Sequence, residues 1–316
     1  PGATCSFKKF LSEIRGFSGT SIGSLCSLML LLQIDTARIE EIALKLLNSM
    51  YHPDMDFSSL LSSYGIEKGA ALKNIVSETL NEGGLAKDIT FQDLYRLTSK
   101  EYVCVATNLT SKKPVYFSHI NTPETKICDA VYMSMCIPFL FVPIRHNDDI
   151  CVDGCLTHCM PDAFSRNLTL FIDTETISMP TRIESIRDYF FSIFSFSIDN
   201  PSDWTMHEKN CICMKFLSTE ENSFANLAIS ERVYRDRVRI GFVTTCAYLF
   251  PEVATTIETI FRLLLDGHLA RSKQSSGFDD DIETCSACES VAEGDQYRWR
   301  GAQKGCMRPQ QKQLPS

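Results

Sequence analysis

Gly19-Thr20-Ser21-Ile22-Gly23 is the stretch that most constrains this chain. It has the Gly-x-Ser-x-Gly spacing of a nucleophile elbow. There a serine on a tight strand-to-helix turn is held in a strained backbone conformation with its Oγ exposed. The residues two before and two after the serine are expected to be small, because strand and helix backbones close on each other at that turn. A dense apolar run follows, with Leu25, Leu28, Met29, Leu31 and Leu32 and no proline. It predicts a largely buried helix. The backbone N–H of Ile22 would then lie at the helix N-terminus, where partial positive charge stabilises an oxyanion. The bland alternative is a glycine-serine helix start with an apolar helix behind it.

A second pointed stretch is Asp153-Gly154-Cys155, after the short apolar run Ile150-Cys151-Val152. An acid at the C-terminal end of a strand in an α/β sheet sits on the edge where such folds place their chemistry. Gly154 lets the backbone turn and another group approach. A serine with an aspartate as its only partner can form a dyad if the carboxylate reaches Oγ and takes its proton directly. The competing reading is a turn aspartate that caps local N–H groups.

Between and around these stretches, strands alternate with helices. Helical spacing covers residues 7–14, 37–50, 70–80 (stopping at Gly83-Gly84), a short stretch after Thr90, 123–135, 182–198 and 230–249. Strands are predicted at 15–18, 101–107, 114–118, 139–144, 150–152, 168–172 and 211–216, with Ser111–Lys113 and His146–Asp149 as turns. Residues 51–68 read as irregular. The alternation predicts an α/β fold of three layers, a mostly parallel central sheet with helices on both faces. One domain is expected over 1–270. From Arg271 to Ser316 apolar residues become isolated among Ser, Gln, Asp, Gly and Arg, which predicts a disordered tail. Deleting that tail should change stability by well under about 1 kcal/mol.

Charge excludes some partners. Against 39 acidic residues the 316-residue chain carries 31 basic ones, for a net charge of −8, and no basic stripe. Nucleic acid is therefore not an expected partner. Bulk charge does not draw such a chain to anionic lipid, so any lipid contact must be local and apolar. The aromatic stretch Asp188–Ile198 offers two readings: a helix buried on two sides, or one whose second face, with Phe191 and Ile198, touches a lipid interface. No apolar run is long enough to predict a membrane-crossing helix.

The 14 cysteines lie mostly in apolar segments, and no secretory signal is read ahead of them, so reduced thiols in a cytosolic-type compartment are expected. The Asn108 and Asn167 sequons are accordingly read as chance matches. Cys151, Cys155, Cys159 and His158 match no zinc spacing, and Asp148, Asp149 and Asp153 lack the oxygen spacing of a calcium loop, so no metal is expected. The chain opens on Pro1 rather than methionine, and its numbering is expected to start inside a longer protein.

Four stretches, in order, resemble the patatin-like phospholipase family. They are Gly19–Ser24, Val105-Ala106-Thr107-Asn108-Leu109, Asp129–Phe141 (Asp-Ala-Val-Tyr-Met-Ser-Met-Cys-Ile-Pro-Phe-Leu-Phe) and Val152-Asp153-Gly154. The resemblance spans roughly residues 7–265. It implies calcium-independent hydrolysis of phospholipid or lysophospholipid acyl esters without a cofactor, by a cytoplasmic protein peripherally associated with membranes. It assigns Ser21 as nucleophile and Asp153 as the base that later protonates the leaving alcohol, so none of the six histidines is needed. Family members have Asp-Gly-Gly or Asp-Gly-Ala where this chain has Cys155, another small residue. They also carry a glycine-rich oxyanion loop tens of residues before the serine. Gly2 and Gly16 do not form that run, which is expected upstream of Pro1 or absent. The alternative function is accordingly an impaired homologue that binds lipid or protein. Other serine hydrolase chemistry, as in a protease or thioesterase, is a third class.

Overall fold

The structure is a computed structural model. It describes residues 11–51, 57–161, 163–164, 169–178 and 211–218, and beyond these only Tyr189, Ser192, Ile193, 237–242, Thr244, Thr245 and Tyr248. Two compact units divide the chain, Pro1–Ile240 and Gly241–Ser316. The residues of the candidate site belong to the first. In the second, Thr245 Oγ1 donates to the Gly241 carbonyl one helical turn back.

The first unit is α/β. Strand β1 (Gly16–Thr20) runs into helix α1 (Ile22–Leu31), followed by α2 (Thr36–Tyr51), α3 (Phe57–Ser63), β2 (Gly65–Glu67), α4 (Ala70–Glu82) and α5 (Phe91–Thr98). Then come β3 (Glu101–Asn108), β4 (Lys113–Phe117), α6 (Ile127–Ser134), β5 (Phe139–Phe141), β6 (Ile144–His146) and β7 (Asp149–Asp153). Strands β8 (Phe171–Ser178) and β9 (Cys211–Ser218) form a separate parallel pair. Local chemistry explains the ends. The Ala37 N–H bonds the Asp35 carboxylate at 3.1 Å, and Thr90 caps α5 by accepting from the Asp93 N–H at 3.1 Å. Gly83 closes α4.

The five-stranded sheet is mixed rather than mostly parallel. Only β1 pairs parallel with β3; β4, β7 and β6 join through antiparallel pairings. Hairpins cause this. Asn147 and Asp148 both adopt positive φ, 49° and 68°, the two-residue turn that reverses a strand with the sheet's own twist. The predicted strand 139–144 splits for the same reason. Its first half pairs with β2, inside the stretch read as irregular, and its second half starts the β6–β7 hairpin.

Alternation along β3 sorts the layers. Tyr102, Cys104 and Ala106 join Phe17, Leu25, Leu28, Val131 and Phe117 in one buried cluster on the helix side. Phe91 of α5 stacks on Tyr102 with ring centroids 5.6 Å apart, and the Tyr102 hydroxyl donates to the Ser24 carbonyl at 2.8 Å. Each fully buried large side chain contributes about 1.5–3 kcal/mol, which is why the apolar run of α1 sits in this core. Val103, Val105 and Val152 are buried on the opposite side. There the ring of Phe164 fills the space beside Gly16. The helices predicted at 182–198 and 230–249 fall mostly outside the described residues, which are helical at Tyr189, Ser192, Ile193 and 237–242; Phe191 and the 271–316 tail lie outside them too.

Candidate active site

Two strands meet end to end along one edge of β3. The parallel β1 finishes with Thr20 opposite Val105, and the antiparallel β7 finishes with Asp153 opposite Ala106. Val105 and Ala106 each also pair with β4, so β1 and β7 must share the other edge. They approach from opposite directions and stop at adjacent positions. The residues just past those stops are Ser21 and Gly154. This corrects the expectation that both motifs end strands on the C-terminal edge of a parallel sheet. The acid ends an antiparallel strand, and the meeting point lies within the sheet.

Ser21 departs from β1 at φ 53° and ψ −130°, a region costly for any residue with a Cβ. The turn then closes on itself. The Ser24 N–H and Ser24 Oγ both bond the Ser21 carbonyl, at 2.9 and 2.6 Å. A Cβ on Gly19 would stand 2.1 Å from the Gly23 carbonyl oxygen, so Gly19 is required by close approach. Gly23 is not required in this way, since a Cβ there would meet nothing within 4 Å. The expectation of equal crowding on both sides of the serine is therefore corrected. The helix turns its backbone, not the Cβ direction of its second residue, toward the strand.

Ser21 Oγ donates to Asp153 Oδ2 at 2.6 Å. The carboxylate is wholly buried, and burial pushes its pKa up to about 6 against the opposing bonds from Ser21 and Cys155. The Cys155 N–H donates to Asp153 Oδ1 at 2.9 Å, so both oxygens are engaged. Cys155 thus serves through its backbone, which a residue of any small size supplies. Gly154 is there for contact. A Cβ would lie 2.3 Å from the Val105 carbonyl oxygen and 2.7 Å from Thr20 Cγ2. Thr20 Oγ1 donates to the His158 carbonyl at 3.0 Å, tying the strand end to the loop after Asp153. The His158 ring is occupied elsewhere, with Nδ1 against the Tyr116 hydroxyl.

Ile22 and Gly23 open α1, and their N–H groups have no acceptor among the described residues. Ile22 is 48% exposed beside Ser21. Ser134 is the residue that the sequence reading missed. It lies within Asp129–Phe141, and nothing in that spacing marks it. Its Oγ accepts from the Ser21 N–H at 2.9 Å and donates to the Val105 carbonyl at 2.5 Å. The signal available in the sequence was a lone serine within the apolar run Ala130–Phe141.

Among the described residues no group of three or more His, Cys, Asp or Glu is placed to hold a metal ion. Asp149 is engaged by Asn108 Nδ2 at 2.8 Å instead. The cysteines at 26, 104, 128, 136, 151, 155 and 159 are free thiols, and burial pushes Cys151 up to about 11 and Cys104 up to about 12. No helix of the described residues is long and apolar enough to cross a membrane.

Comparison with known proteins adds the following. Residues 1–161 match the family profile described as patatin-like phospholipase. The chain is 28% identical over 164 residues to uncharacterized protein R571 of Acanthamoeba polyphaga mimivirus, covering 51% of this chain and 52% of that one. It is 26% identical over 161 residues to probable lipid hydrolase 463L of Invertebrate iridescent virus 6, covering 48% and 53%. The chain thus spans about half the length of the curated relatives it matches. Among solved structures, VipD from Legionella pneumophila aligns with a TM-score of 0.30 and 14% identity, over 87% of this chain and 67% of that one. The type III effector protein ExoU aligns with a TM-score of 0.37 and 12% identity, over 86% and 61%.

Proposed function

Since this chain belongs to the patatin-like phospholipase family, we propose that it hydrolyses acyl esters of phospholipids or lysophospholipids through Ser21 and Asp153. The observation that carries this reading is the 2.6 Å bond from Ser21 Oγ to the buried carboxylate of Asp153.

The chemistry follows from the geometry. Asp153 takes the Ser21 hydroxyl proton as Oγ attacks the ester carbonyl. A pKa of about 6 suits that work, because the carboxylate is mostly ionised at neutral pH yet more basic than an exposed aspartate. The oxyanion forms beside the start of α1, where the Ile22 N–H is available and the helix dipole is positive. Asp153 then returns the proton to the departing alcohol, leaving an acyl group on Ser21. In the second half Asp153 deprotonates water, which attacks the acyl-enzyme, and returns that proton to the departing Ser21 Oγ as the fatty acid is released. Neither a metal nor a histidine enters these steps. Half-exposed Ile22, next to the nucleophile, offers apolar contact to an acyl chain or a lipid surface. A peripheral association with membranes from the cytoplasm belongs to the same proposal.

The test is direct. The chain should be labelled by a fluorophosphonate, with the adduct on Ser21 by peptide mass spectrometry, and should release fatty acid from phosphatidylcholine or lysophosphatidylcholine vesicles. A folded chain that is neither labelled nor hydrolytic would leave only the lipid- or protein-binding alternative.

A further inference from the structure

The Ser134 hydroxyl stands in series between two backbone groups. The Ser21 N–H donates to Ser134 Oγ, and the Ser134 hydroxyl donates on to the Val105 carbonyl, at 2.9 and 2.5 Å. Val105 is the β3 residue opposite Thr20, the last residue of β1. A continuing parallel ladder would join the next β1 N–H directly to a β3 carbonyl. Here a side-chain hydroxyl takes up that rung. It keeps the Ser21 N–H and the Val105 carbonyl satisfied while the chain leaves the sheet, which lets Ser21 hold φ 53° without orphaning a backbone donor. Ser134 is fully buried at the C-terminal end of α6. Two residues later, the Cys136 carbonyl accepts the Asp153 N–H at 2.8 Å. One short segment therefore grips the backbones of both Ser21 and Asp153, 132 positions apart in sequence.

We propose that Ser134 is a positioning residue: its hydroxyl ends the β1–β3 ladder and, with the Cys136 carbonyl, sets the distance between the Ser21 hydroxyl and the Asp153 carboxylate. It touches no substrate and moves no proton of the reaction. This inference rests on the proposed hydrolase reading.

The test separates positioning from plain structural support. Loosening the Ser21 backbone weakens the bond that holds the Asp153 carboxylate in its charged form. The acid limb of Ser21 reactivity must then move to higher pH. The titratable groups facing Asp153 are the thiols of Cys104 on β3, Cys136 after α6 and Cys155 after β7; burial pushes the first two up, and the hydrogen bond with Cys159 together with burial pushes up the third, so none of these thiols titrates in that range. In the full chain, the rate of fluorophosphonate labelling is measured against pH for wild type, Ser134→Ala and Ser134→Thr, with melting temperature alongside. Ser134→Ala is expected to label about 10–100-fold more slowly, with its acid limb shifted upward by about half a pH unit or more. Ser134→Thr, which keeps the hydroxyl, is expected to recover most of the rate. A Ser134→Ala chain with the wild-type rate and limb would overturn the proposal. So would one that loses rate only as far as it loses folded protein, with the limb unmoved. An unfolded Ser134→Ala leaves Ser134→Thr to decide. If a folded Thr variant lacks wild-type-like labelling, the proposal falls. A folded wild type that resists labelling at every pH would instead remove the hydrolase reading, and this inference with it.

Discussion

Ser21 and Asp153 both stop a strand against β3, but different forces hold them. The elbow is built largely from its own neighbours: Gly19 gives room, Ser24 bonds the Ser21 carbonyl twice, and the apolar face of α1 anchors the turn in the core. The acid turn leans more on distant segments, beside the local bond from the Cys155 N–H to Asp153 Oδ1. Ala106 aligns it, the Cys136 carbonyl fixes its N–H, and Val105 and Thr20 press on Gly154. The serine turn is thus shaped in good part by local sequence, with the Ser134 hydroxyl as its distant hold, while the place of Asp153 is set by the packing of the whole sheet. Strain and burial follow the same division. Ser21 carries the backbone strain, and Asp153 carries the buried charge.

The comparison breaks first on chemistry. Ser21→Ala and Asp153→Asn should each lower hydrolysis at least about 10³-fold, and the double variant should be little worse than either, because members of one proton-transfer unit act together. Additive losses in a kinetic assay would show two independent contributions. The two variants should part on stability. The Asp153 carboxyl titrates at about 6 in the fold instead of its ordinary 3.8. Between those values the unfolded chain ionises while the folded one stays protonated, so the wild type loses stability as pH rises through that window. Above it, Asp153→Asn should be more stable than wild type by an amount on the order of 2–3 kcal/mol. Ser21→Ala should show no such pH-dependent gain in denaturation curves.

Close approach comes next. Gly154→Ala forces a Cβ against the Val105 carbonyl and should cost about 1–3 kcal/mol or more, with activity falling beside it. An unchanged melting temperature would mean the two strand ends are not pressed together. The pH profile of kcat/KM should fall about tenfold per pH unit below about 6, since the ionised Asp153 is the working form. Gly23→Ala, two residues past Ser21 in the same elbow but in open space, should stabilise the chain by about 0.5–1 kcal/mol through helix propensity. Destabilisation there would show that the crowding is symmetric after all. Smallest of all is calcium: a chelator should leave hydrolysis unchanged, and activity restored by added calcium would contradict a metal-free dyad.

Much of this was legible because its causes are local. The Gly-Ser-Gly spacing with a leucine-rich run behind it dictated a strand, a tight turn and a buried helix, and β1 and α1 follow that pattern. Thr90, Asp35 and Gly83 marked helix ends through their own hydrogen-bonding chemistry and backbone freedom. The Val-Asp-Gly stretch marked Asp153 as a carboxylate at a strand end, and the family resemblance, not the stretch alone, gave it a catalytic reading over a turn cap. What no spacing could disclose is which strand lies beside which and in which direction. That depends on contacts between residues far apart in sequence, whose gain in burial is decided only when the sheet assembles. So the antiparallel arrival of β7, the split of residues 139–146 between two sheets, the needlessness of small size at Gly23, and the Ser134 hydroxyl inserted between Ser21 and Val105 were settled by the tertiary structure. Each is a matter of which atoms come within about 3 Å across the fold.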